Sequence, residues 1–123
     1  MRPEERDKAY LWDMLQAARD VLEFTRKLDL RSFTEDRRTR FAVERQLLVI
    51  GEAASHVSEA FKEQHPEIPW AGIVGQRNVL AHDYGEILVE RIWLVAQRNI
   101  PSLTKLLSDL LPEAPRTGSQ SPP

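Results

Sequence analysis

The chain has 123 residues, 41% hydrophobic and 29% charged, with a net charge of −2 and no cysteine. That is the length of one domain with its own core, and the missing thiols exclude disulfides, cysteine nucleophiles and thiolate metal sites. No apolar run approaches the ~20 residues of a membrane span, and the charged start Met1-Arg2-Pro3-Glu4-Glu5-Arg6 is no apolar signal core, so a soluble, cytoplasmic protein is expected.

The first element is a helix from about Glu5 to Leu28, with Leu11, Met14, Leu15, Ala18, Val21 and Leu22 recurring at helical spacing. Leu30 and Arg31 form a short connection, and Ser32 with Glu35 fits a capping box. A long second helix is predicted from about Thr34 to Gln64, its apolar stripe being Phe41, Leu47, Leu48, Ile50, Ala54, Val57 and Phe61. Gly51 sits inside it, where glycine costs roughly 1 kcal/mol relative to alanine; another backbone packing close would explain it. His65-Pro66-Glu67-Ile68-Pro69 ends this helix, because the residue before a proline is pushed out of the helical region.

Trp70 opens a third, shorter helix carrying Ile73, Val74 and Arg77. A fourth begins near Glu86 with Ile87, Ile92, Trp93, Val95 and Ala96; Pro101 predicts a kink or break before Leu103, Leu106, Leu107, Leu110 and Leu111. No alternating strand pattern occurs. The expectation is an all-α, antiparallel bundle of four to five helices over residues 1–111, followed by a disordered tail over 112–123, rich in Pro, Ser, Gly and Thr.

The net acidity does not announce a nucleic-acid binder. Between Arg26 and Arg45, however, Arg26, Lys27, Arg31, Arg37, Arg38, Arg40 and Arg45 outnumber Asp29, Glu35, Asp36 and Glu44. That excess suits a phosphate backbone, although a solvated helix face with mixed ion pairs is the favoured reading on sequence alone.

Chemistry concentrates in Arg77-Asn78-Val79-Leu80-Ala81-His82-Asp83-Tyr84. Arginine is a permanent cation with a planar donor fork that suits phosphate, and histidine transfers protons near neutral pH. Together they can manage a phosphodiester without a metal. Five residues of helix separate Arg77 and His82 by ~140°, so they converge only if the helix ends near His82 or a second subunit contributes. Asp83-Tyr84-Gly85 favours an ending, and a helix C-terminus favours a protonated His82. Each residue also has an ordinary structural role open to it: Arg77 paired with Asp83, Tyr84 half-buried, His82 satisfied within the bundle as His56 and His65 are expected to be. On the residues alone, the structural roles outweigh catalysis.

The wider pattern resembles the HepT-like proteins of the HEPN superfamily, whose signature R-x-x-x-x-H-x-Y is matched by Arg77, His82 and Tyr84. Gly51-Glu52-Ala53, Ile68-Pro69-Trp70, Ile92-Trp93 and Ile100-Pro101-Ser102-Leu103 extend the resemblance over roughly residues 5 to 111. The resemblance implies a HEPN-like bundle and a metal-independent endoribonuclease with no cofactor. It implies a homodimer whose two motif copies meet in a cleft, and a toxin paired with an MntA-type nucleotidyltransferase antitoxin that attaches AMP to Tyr84. Arg77 and His82 are then the catalytic residues acting on RNA, and Asn78 and Asp83 supporting ones. Glu52 is worth watching, though a solvent-facing ion pair is its ordinary role. The alternative is a non-catalytic helical module that binds a nucleotide or a protein partner; a purely structural homodimer is a third possibility.

Overall fold

A computed structural model describes the backbone of residues 3–82 and 89–111 and the side chains of residues 5–81 and 89–111. Within them the elements are α1 (Pro3–Thr25), α2 (Leu30–Glu35), α3 (Arg37–His56), α4 (Glu59–Gln64), α5 (Trp70–His82), α6 (Val89–Leu94), a π-helical turn (Val95–Asn99) and α7 (Ile100–Leu110). There is no strand among the described residues. The expected all-α bundle is what forms. No helix among them is long and apolar enough to cross a membrane.

Helices α1 and α3 form the central pair, antiparallel because the start of α1 meets the end of α3: Tyr10 lies against His56, and Asp7 against Ser58. The predicted stripe of α1 supplies Leu11, Met14, Leu15, Ala18 and Val21 to the core, all essentially without solvent contact. Helix α3 adds Val43, Leu47, Ile50, Ala53 and Ala54, while α7 closes the other side of α1 with Ile100, Leu103 and Leu107. Helix α5 packs on α3, and α2 bridges α3 and α6 through the buried Phe33. Phe41, expected in the α3 stripe, is 50% exposed instead, with the Arg37 guanidinium 5.2 Å above its ring.

The long second helix of the sequence expectation is divided, and hydrogen bonding explains both divisions. Asp36 ends α2 and caps α3, accepting from the Thr39 amide at 3.0 Å and its hydroxyl at 2.7 Å. At the other end, Asp7 of α1 accepts from the Ser58 amide at 2.9 Å and its hydroxyl at 2.7 Å. That takes the Ser58 N–H out of the helical ladder; Val57 turns extended, and Ser58 then caps α4 through the Phe61 amide. A residue 51 positions away therefore decides where α3 stops.

The capping box exists but three residues earlier than expected. Asp29, not Ser32, is the N-cap: the Ser32 amide donates to the Asp29 carboxylate at 2.8 Å, and the Asp29 amide to the Ser32 hydroxyl at 2.9 Å. Asp and Ser compete for this role, and the Asp carboxylate is the stronger acceptor. These amide and hydroxyl donors hold the Asp29 carboxyl below its ordinary range.

Pro101 does not break the last helix. The π-helical turn before it adds a residue to the hydrogen-bonded ring, with the Ile100 amide reaching back to the Val95 carbonyl. Pro101 thereby falls in the first turn of α7, where a missing N–H costs no bond.

Candidate active site

Helix α5 begins where Pro69 precedes Trp70, whose indole N–H donates to the His65 carbonyl at 3.0 Å. Ile68 is buried beneath this connection, fixing the angle at which α5 leaves. Its path is set further by Gly51. A methyl group there would overlap the Arg77 Cβ and stand 2.7 Å from its Cγ and 3.3 Å from the Ile73 carbonyl oxygen. The glycine inside α3 is thus the close approach its helical cost suggested.

Across that contact Arg77 reaches residues of α3. Its Nη2 donates to Glu52 Oε1 at 2.7 Å, and its Nη1 to the Asn78 side-chain oxygen at 2.9 Å. The other oxygen of Glu52 accepts from His56 Nε2 at 3.0 Å. The Tyr10 ring lies on the His56 ring, centroids 5.1 Å apart and planes inclined by 23°. The row Asn78–Arg77–Glu52–His56–Tyr10 thus joins α5, α3 and α1. The hydrogen bond from His56, followed by the hydrogen bond and charge of Arg77, holds the Glu52 carboxyl below its ordinary range.

Arg77, Glu52, His56 and Tyr10 of this row border an open cleft of about 350 Å³, lined also by Asp13, Arg45, Leu48, Val49 and Ala81. Arg77 remains 35% exposed, so its guanidinium faces solvent while its stem packs on Gly51. A second cavity, about 240 Å³, is lined by apolar residues including Ile50, Ile73 and Leu103 together with Gln76, Arg98 and Asn99.

Of the residues the sequence singled out, Arg77 and Asn78 are brought together, and Glu52 joins them as an ion-pair partner. The backbone of α5 is helical up to His82; the His82 side chain, Asp83 and Tyr84 lie outside the described residues. His65 keeps to its own turn, contacting Glu67 and the Phe61 ring. His56, expected as a satisfied structural residue, is hydrogen-bonded to Glu52 and 48% exposed in the cleft. Sequence reasoning passed over it. The available signal was the four-residue spacing of Glu52 and His56, which puts both on one helix face. Among the described residues, no group of three or more His, Asp or Glu side chains is disposed to hold a metal ion.

Residues 14–110 match the family model described as ribonuclease HepT-like. The chain belongs to that family. A Thermococcus cleftensis HepT-like relative, named "Probable ribonuclease HepT", is 41% identical over 96 residues, covering 78% of this chain and 87% of the relative. A protein of Methanocaldococcus jannaschii named "Putative RNase MJ1380" is 39% identical over 98 residues, covering 80% of this chain and 90% of its own length. Another from that organism, "Putative RNase MJ0127", is 33% identical over 109 residues, covering 89% and 90%. No solved structure matches the chain. The HepT-like family places the chain among ribonucleases, and Arg77 lines the open cleft.

Proposed function

We propose that this ribonuclease is a metal-independent endoribonuclease and the toxin of a toxin–antitoxin pair. It acts as a homodimer in which two copies of the Arg77–His82 motif face one cleft. The observation that carries the reading is the Arg77 guanidinium, anchored by Glu52 and Asn78 and still open to solvent beside a cleft, in a chain of a ribonuclease family.

RNA carries its own nucleophile. The 2′-hydroxyl attacks the adjacent phosphorus as the bond to the 5′ oxygen breaks, leaving a 2′,3′-cyclic phosphate and a 5′-hydroxyl. The enzyme has to take one proton, give one back and hold the charge that builds on the phosphoryl oxygens. Arg77 does the last of these, since a preorganised cation aimed at developing charge costs no reorganisation during reaction. His82 carries a proton, as base or acid. Five helical residues set Arg77 and His82 ~140° apart, and pairing of two copies lets arginine and histidine from opposing chains converge. Asn78 fixes the guanidinium, and Asp83 supports the histidine.

In the same reading an MntA-type nucleotidyltransferase antitoxin attaches AMP to Tyr84. The adduct places bulk and negative charge where the substrate phosphate binds.

The deciding experiment is induced expression of wild type, Arg77→Ala and His82→Ala, with folding checked by circular dichroism. The purified proteins are then assayed for RNA cleavage with a chelator present. Growth arrest and chelator-resistant cleavage by wild type alone support the reading. Cleavage without arrest removes the toxin role; equal growth and no cleavage in all three leave a non-catalytic binding module.

A further inference from the structure

The reaction above uses Arg77 and His82, yet the same cleft presents a second, differently built group. His56 is the last residue of α3, and its ring is held on two sides: Tyr10 stacks on one face and Nε2 donates to Glu52. A histidine that served only to satisfy Glu52 would need no aromatic backing. Nearly half of the side chain stays exposed after both contacts. The ring is therefore fixed in orientation before anything binds.

Its position relative to Arg77 is equally defined. The two oxygens of one carboxylate hold the guanidinium at 2.7 Å and the imidazole at 3.0 Å, so the ring and the phosphate-binding group flank one carboxylate. Farther along the same face of α3, seven residues before Glu52, Arg45 borders the cleft, with Leu48 and Val49 between. A cation, a flat ring with a backed face and a second cation along an open groove match an extended polynucleotide, whose phosphates seek charge and whose bases seek flat surfaces. Asp13 and Glu52 offset the two arginines, so charge alone does not hold a strand here, and stacking adds an attraction independent of charge.

We propose that His56, backed by Tyr10, is the stacking platform for the nucleobase next to the phosphate held by Arg77, and that the substrate at this site is single-stranded RNA. The proposal rests on the ribonuclease reading of the cleft and adds the substrate class and a binding subsite to it. An A-form duplex buries its base faces and offers only edges, so the platform has nothing to stack on until the strand is single. Because every base has a flat face, the subsite takes purines and pyrimidines alike.

The test uses the full chain and a 2′-fluoro RNA oligonucleotide carrying 2-aminopurine, which has no 2′-hydroxyl and cannot be cleaved. Stacking quenches the fluorophore. His56→Phe keeps a ring and loses the Glu52 bond; His56→Gln keeps a donor and loses the ring. Wild type and His56→Phe are expected to quench and to bind with similar affinity, and His56→Gln and His56→Ala to lose the quench and bind about tenfold more weakly. Cleavage of an ordinary single strand by His56→Gln should show a raised KM with little change in kcat. The opposite order, His56→Gln like wild type and His56→Phe impaired, overturns the proposal and makes His56 a positioning residue acting through Glu52. Equal quenching by all four proteins, or tighter binding of duplex than of single strand, overturns it too. If wild type quenches as expected but cleaves nothing, the nuclease reading fails and the stacking subsite stands. If wild type cleaves while quenching is indifferent to residue 56, the reverse holds.

Discussion

Gly51 of α3 and Arg77 of α5 touch directly: the arginine stem lies where a side chain at residue 51 would otherwise be. The contact fixes the height of the guanidinium over Glu52, one residue along α3. Packing and chemistry meet at this pair, since a helix position that favours alanine by its propensity is kept empty for the neighbouring helix.

Gly51→Ala should therefore destabilise the fold although alanine is the better helix former. The propensity gain is about 1 kcal/mol, and over-packing a close interface costs about 1–3 kcal/mol. Gly72→Ala on α5, where nothing lies within 4 Å of the added carbon, should raise stability by roughly 0.4–1 kcal/mol. Thermal denaturation of the two variants checks the contrast, with RNA cleavage reduced in the first and retained in the second.

Replacing Arg77 tests geometry against charge. Arg77→Ala should lower kcat for RNA cleavage about 10²–10³-fold, the usual loss for one transition-state donor. Arg77→Lys should recover little of it, because an ammonium cannot hold Glu52, Asn78 and a phosphate with one planar fork. Near-complete rescue by lysine would reduce the role of Arg77 to a point charge.

Glu52 supplies a pH dependence with a definite sign. His56 first and Arg77 second favour its charged form in the folded protein, so its native pKa lies below the unfolded one. The associated stabilisation is present above the unfolded value, about pH 4.3 for glutamate, and is lost as pH falls through the native value. Denaturant titrations of wild type and Glu52→Gln should show a stability difference at neutral pH that closes in acid. A difference that grows on acidification contradicts the assignment.

Asp7 and Ser58 tie α1 to the junction of α3 and α4 without touching the arginine. Asp7→Ala leaves the Ser58 amide and hydroxyl without their acceptor at a part-buried site, costing about 1–3 kcal/mol. Chemical denaturation should show that loss, with kcat for RNA cleavage unchanged in the folded fraction.

Much of the bundle was legible because helical periodicity is local. The α1 stripe from Leu11 to Val21 is buried as spaced, and the close approach at Gly51 follows from the cost of glycine in a helix. Phe41 was misplaced because apolarity alone does not say which face of a helix finds a neighbour. Glu52 was noticed without its partner: ion pairing between Glu52 and Arg77 spans 25 residues, and no local pattern specifies it. The Glu52–His56 spacing was legible, but the ring contact of His56 with Tyr10 on another helix was not.

The sequence by itself determined the helical class, the main apolar faces and the family, because these depend on residue identity and short-range spacing. Only the tertiary structure decided where α3 ends, since Asp7 competes with the helix for the Ser58 amide. It alone brought Asn78, Arg77, Glu52, His56 and Tyr10 into one row. Hydrogen bonds and ring contacts between helices form only once packing has brought their faces together, and the order of residues along a chain does not encode that distance directly.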